Sequence, residues 1–141
     1  MARMPEVKSF LVADTVLQEK GSNKWSVIGV FDQIVAPQFP TGRPGIGLYV
    51  KLADAEGRYK VRIEFRDSDD QLLTWIEGME ISTKGRVATV DFGMQIQNPL
   101  TIPKPGKYHF MIYLNGQLAQ TVPVYALQAT PGQPPAPPPA E

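Results

Sequence analysis

The chain has 141 residues, with 14 basic and 14 acidic side chains, no formal net charge and no cysteine. That length suits one domain with its own core, and the missing thiols exclude a disulfide scaffold, a thiolate zinc site and a cysteine nucleophile. The balanced charge argues against a nucleic-acid partner: the nearest basic cluster, Arg58, Lys60, Arg62 and Arg66, is interrupted by Glu64 and followed by Asp67, Asp69 and Asp70.

From the N-terminus, Arg3 supplies a basic residue, but the apolar run that follows breaks at Asp14. A secretory signal needs an uninterrupted apolar stretch, so none is expected. No apolar run is long enough for a membrane-spanning helix. These points predict a soluble, cytoplasmic protein with no membrane partner.

Strand-like runs then recur, each bounded by turn residues. The first, Ser9 to Leu17, ends at Glu19-Lys20-Gly21-Ser22-Asn23; the second is Lys24 to Phe31. A connection with Pro37, Pro40, Pro44 and Gly45 leads to Ile46–Ala53, and Asp54 to Gly57 turns the chain into Arg58–Arg66. Asp67 to Asp70 form the next turn. Leu72–Ile81 and Val87–Gln97 follow, then a loop from Asn98 to Gly106 with Pro99, Pro103 and Pro105. Lys107 to Leu114 and Gln117 to Val122 flank Asn115-Gly116, a pair suited to a type I′ hairpin turn because both residues must take positive φ.

Alternation supports strands. Tyr59, Val61, Ile63 and Phe65 share one parity while Lys60, Arg62, Glu64 and Arg66 share the other, the pattern of a half-buried strand. Ile46, Leu48, Val50 and Leu52 repeat it. So do Ala88, Val90, Phe92, Met94 and Ile96, and Tyr108, Phe110, Ile112 and Leu114. One stretch is ambiguous: Leu72, Ile76 and Met79 sit at helical spacing, but Gly78 disfavours a helix and neighbouring runs favour a strand. The predicted fold is an all-β, antiparallel sandwich of about eight strands. It covers residues 1–128 and is followed by a flexible Pro/Ala-rich tail, 129–141, which holds six of the 14 prolines. Such a tail is either a solvated end or a ligand for an aromatic groove.

Chemistry-bearing constellations are sparse. His109 is the single histidine and falls on the outward parity of its strand. One histidine without cysteine does not make the usual zinc set, and no nucleophile-elbow motif or phosphate-binding loop is present. No cofactor and no catalytic residue are expected. Asp67, Asp69 and Asp70 are candidates for Ca²⁺ through oxygen ligands, although Asp also forms turns by itself. Trp25, Tyr49, Trp75, Tyr113 and Tyr125 could include a stacking platform for a sugar or serve as core anchors.

Two runs lack a polar face. Phe10, Leu11, Val12, Ala13, Val16 and Leu17 are apolar at both parities, as are Trp25, Val27, Ile28, Val30 and Phe31. One face of each sheet is buried in a two-layer sandwich, so the other face needs a cover: a loop, the tail or another chain. If the cover is another chain, the candidate interface residues are Phe10, Val12 and Trp25 from these runs, with His109, Met111 and Tyr113 from the outward parity of the strand before Asn115-Gly116.

Three blocks carry a resemblance: Phe10 to Val16 with Glu19-Lys20-Gly21; Lys24 to Phe31; and Pro105-Gly106-Lys107-Tyr108 through Asn115-Gly116 to Val124. They resemble an uncharacterised bacterial family of small single-domain β proteins. That resemblance implies an immunoglobulin-like fold and supplies no activity or catalytic residue. The resulting expectation is a non-enzymatic binding or assembly module whose partner is a protein, with a second copy of itself among the candidates; the alternative is a sandwich that binds Ca²⁺ or carbohydrate.

Overall fold

Turn chemistry and alternation place the long strands. The protein's structure, a computed structural model, describes residues 3–130. Its strands are β1 (Glu6–Gln18), β2 (Trp25–Val30), β3 (Gln33–Ala36), β4 (Thr41–Arg43), β5 (Ile46–Ala55), β6 (Arg58–Asp67), β7 (Leu72–Ser82), β8 (Val87–Ile96), β9 (Leu100–Ile102), β10 (Gly106–Leu114) and β11 (Gln117–Gln128). Among the described residues no helix is long and apolar enough to cross a membrane. The expected tail lies outside the described residues from position 131 onward.

Sheet one has the order β2-β1-β5-β8 and sheet two the order β3-β11-β10-β6-β7, while β4 and β9 form a two-stranded ribbon. The expectation of about eight strands is corrected to eleven. It missed β3, β4 and β9, which are three or four residues long and lie in proline-bearing connections. The fully antiparallel expectation is corrected as well: β3 runs parallel to β11 at the edge of sheet two.

The two sheets bury one shared core. Sheet one contributes Phe10, Val12, Leu48, Val50 and Phe92; sheet two contributes Val61, Ile63, Phe65, Phe110 and Ile112. Phe65 stacks on Tyr108 at 5.4 Å and meets Phe110 at 4.8 Å. Buried tyrosines need partners for their hydroxyls. Tyr108 donates to the Lys104 carbonyl at 2.6 Å, and Tyr59 bonds the backbone of Arg3 and Glu56, which ties the N-terminal segment down.

The ambiguous stretch is strand β7, and its pairing explains the ambiguity. Register shifts against β6 fall between Val61 and Ile63 and between Phe65 and Arg66. Half-buried side chains on β7 are therefore Leu73, Ile76, Met79 and Ile81. The three-residue gaps mimic a helix. Gly78, at φ 98°, sits within one of the shifts, where a bulge favours glycine.

Asn115 and Gly116 have φ of 51° and 81°, as a type I′ turn requires. Asn115 also holds sheet two together. Its Oδ1 accepts the Lys60 N–H at 2.8 Å and its Nδ2 donates to the Arg58 carbonyl at 3.1 Å. Asn115→Gly keeps the turn conformation but removes both bonds, and is expected to destabilise the fold by about 1–2 kcal/mol in urea unfolding. Wild-type stability in that variant would show that the side-chain bonds add nothing.

Candidate functional site

β1 carries apolar side chains at both parities, and the chain covers the second set by folding over itself. As far as Ala13, which pairs with Gly47, β1 lies beside β5. Beyond that point it keeps β2 as its partner and crosses the outer face of β5 and β8. Gln95 fixes the crossing: its Oε1 accepts the Val16 N–H at 2.9 Å and its Nε2 donates to the Asp14 carbonyl at 3.1 Å. Glycines clear the path. A Cβ on Gly47 would lie 2.7 Å from Val16, and one on Gly93 would lie 2.5 Å from Val16 and 2.8 Å from the Trp25 ring. Arg43 pairs with Asp14 at the crossover and lies 4.5 Å over the Phe31 ring. Gly29, at φ 74°, leaves room for the Asp14 side chain.

With Val16 and Trp25 turned down, the opposite parity of the hairpin faces solvent. It carries Leu17, Ile28 and Val30 at 44, 56 and 59% exposure. The β1–β2 register sets Val30 beside Ala13, Ile28 beside Thr15 and Ser26 beside Leu17, so the three aliphatic residues share one face. β2 is also a sheet edge. Other edges are blunted: β3 has four residues, β7 carries Glu77, Glu80 and a bulge, and β8 carries Asp91. No charge or proline falls within β2, although edge strands are commonly protected by such residues.

Outer-face side chains of sheet two are bound to one another. Glu64, with 9% of its side chain exposed, accepts from Arg62 Nε at 2.8 Å and from Arg66 Nε at 2.9 Å. Arg62 continues to Glu77 at 2.9 Å and lies 5.4 Å over the Trp75 ring. Arg66 donates to the Asp70 carbonyl at 2.6 Å. Burial pushes the Glu64 carboxyl up, but hydrogen bonds from Arg62 and Arg66 and their charges outweigh it and hold the group below its ordinary range. Burial, followed by the Glu64 charge, raises the Tyr113 hydroxyl. On the outer face of sheet one, burial and a 2.6 Å hydrogen bond to Asp91 push Tyr49 up to about 12.

The sequence candidates separate in space. Phe10 and Val12 are corrected to core positions at 6 and 5% exposure, because the first half of β1 faces sheet two. Trp25 is half-buried beneath the hairpin. His109, Met111 and Tyr113 are half-buried on sheet two, opposite Arg66, Glu64 and Arg62. Leu17, Ile28 and Val30 were not among the candidates; their signal was apolarity at both parities of the first two runs.

Asp67 is occupied as a turn former, its Oδ1 accepting the N–H groups of Asp69 and Gln71 at 3.0 and 2.9 Å. Asp70 faces His109 Nε2 at 3.8 Å and Arg66 Nε at 3.9 Å. Among the described residues no group of three or more His, Cys, Asp and Glu side chains could hold a metal ion. The five aromatic candidates divide between the sheets, Trp25 and Tyr49 on one and Trp75, Tyr113 and Tyr125 on the other.

Gly93→Val drives a branched side chain into Val16 and Trp25. It is expected to cost about 1–3 kcal/mol by overpacking and, in a Trp75→Phe background, to red-shift the native Trp25 emission; unchanged emission and stability would remove the hairpin from that surface. The lowered Glu64 value gives a second test. Its contribution is complete above the unfolded carboxyl value and disappears as pH falls through the lowered folded value. Glu64→Gln should lose about 1–2 kcal/mol at neutral pH and flatten the decline in urea-measured stability below about pH 4. Parallel profiles for the two proteins would contradict this.

No curated protein matches the chain. Residues 8–127 match a family of unknown function (DUF6941). That span holds β2 through β10 complete, nearly all of β11 and the part of β1 that enters the core and crosses the sheet; the chain belongs to the DUF6941 family.

Proposed function

We propose that this protein is a non-enzymatic, cytoplasmic assembly module that self-associates through the outward face and free edge of the β1–β2 hairpin. The observation that carries this reading is the cluster of Leu17, Ile28 and Val30 beside an edge strand without a charge or proline. Burial of such a face is worth roughly 25 cal/mol per Å² of apolar surface removed from water, and an edge strand offers its unpaired backbone to a second strand. A second copy fits as the occupant. An edge that pairs antiparallel with its own copy is self-complementary, and zero formal net charge imposes no long-range repulsion between copies.

Two further points support the finer description. Tyr108, the third residue of β10, returns its hydroxyl to the Lys104 carbonyl, and β6, β10 and β11 lie side by side; both features accord with an immunoglobulin-like sandwich. His109 makes no hydrogen bond to a serine or threonine hydroxyl among the described residues, and its near carboxylate, Asp70, is exposed and shared with Arg66. That arrangement supports a role without catalysis.

Sedimentation from micromolar to millimolar concentration tests the reading. The expected result is a monomer–dimer equilibrium that Ile28→Lys with Val30→Lys weakens at least tenfold while thermal stability stays near wild type. A wild-type chain that remains monomeric at millimolar concentration refutes self-association.

A further inference from the structure

Asn115 is exposed and precedes Gly116, the one Asn-Gly pair in the sequence. That dipeptide is chemically labile. The backbone nitrogen of the glycine attacks the side-chain Cγ, the Cγ–Nδ2 bond breaks, ammonia departs with the proton of the glycine N–H, and a five-membered succinimide forms. Water then opens the ring at either carbonyl and leaves aspartate or isoaspartate. Glycine favours the first step because no side chain shields its nitrogen. A Cβ at Gly116 would meet nothing within 4 Å, so the surroundings do not shield it either. The other asparagines differ: Asn98 precedes Pro99, whose nitrogen has no proton, and Asn23 precedes Lys24, whose side chain crowds the approach.

Within the fold the Asn115 amide is held away from this reaction. The β10–β6 ladder ends at the pair Leu114–Val61. Asn115 continues it, its backbone N–H donating to the Lys60 carbonyl at 2.9 Å. The side chain adds the bonds from the Lys60 N–H and to the Arg58 carbonyl, at 2.8 and 3.1 Å. Both polar atoms of the amide are thus committed to β6, and Cγ reaches the Gly116 nitrogen only after those bonds break. Detachment of the turn from β6 is therefore the gate. Neither product restores the closed arrangement. Aspartate lacks the Nδ2 donor and sets a carboxylate oxygen against the Arg58 carbonyl. Isoaspartate carries the main chain through Cβ and Cγ, which lengthens a turn whose two-residue span fixes the strand register.

We propose that Asn115 is a gated modification site: the closed turn protects its amide, each detachment from β6 opens it to succinimide formation, and the product keeps the turn detached. The device lies within sheet two and stands independently of the self-association reading. The test incubates the full-length chain in mildly alkaline buffer, with and without urea beyond the unfolding transition, and follows aspartate and isoaspartate at position 115 by peptide mapping and mass spectrometry. Only the open fraction reacts, so deamidation is expected to be at least about tenfold slower in the folded chain than in urea. Leu114→Val, which loosens the buried side chain beside the turn, should narrow that ratio. The deamidated chain, isolated after incubation, should unfold at a lower urea concentration than the unmodified one. Equal rates in buffer and in urea, an Asn115 that stays intact in the unfolded chain, or an unchanged ratio in Leu114→Val would overturn the gate. A deamidated chain with the unmodified midpoint would overturn the lasting detachment.

Discussion

A sheet in a two-layer sandwich has one buried face, and β1 carries more apolar side chains than one face accepts. Most features of sheet one follow from that constraint. The first half of β1 spends its apolar parity on the core, with Phe10 and Val12 against sheet two. Its second half changes partners and lies over the outer surface of its own sheet, where Gly47 and Gly93 leave space for Val16 and Trp25. A side chain at either glycine would lift the hairpin and separate Gln95 from the backbone of residues 14 and 16. The cover is incomplete, because a hairpin also has two sides. The excess of apolar surface is passed outward to Leu17, Ile28 and Val30.

Sheet two meets the same geometric problem with charge. Its outer face alternates sign from Glu77 through Arg62, Glu64 and Arg66 to Asp70. Each cation lies between anions, so the field of the face closes over a few ångströms and little is left to steer a distant partner. That explains why a run of basic residues in the sequence need not imply a nucleic-acid surface. The two surfaces thus differ in kind: the outward face of the hairpin is apolar, whereas the outer face of sheet two is ionic and internally satisfied.

Much of this was legible in the sequence, for identifiable reasons. Strands β5, β6, β8 and β10 alternate cleanly because each has one face in the core. Asn115-Gly116 named its own turn, although the bonds from Asn115 to β6 depend on a strand more than 50 residues away and leave no local trace. Short strands were illegible for a related reason. β4 exists because Thr41–Arg43 meets Leu100–Ile102, and β3 because Gln33–Ala36 meets the end of β11; neither has a pattern of its own. The candidate surface was half legible. Apolarity at both parities marked the first two runs, but choosing Phe10 and Val12 over Leu17, Ile28 and Val30 required the position of the crossing. That position is set by glycines on β5 and β8, distant in sequence from the residues they accommodate.

The crossing also divides the molecule by how its parts open. β2 has one strand neighbour, whereas β5 lies between β1 and β8 with Leu48, Val50 and Leu52 fully buried. Beneath the hairpin, the attachments consist of Val16, Trp25, the two Gln95 bonds and the Asp14–Arg43 pair. Lifting this flap leaves the central core in place, so the amides of β2 exchange with solvent through a local, low-energy opening, while those of β5 wait for global unfolding.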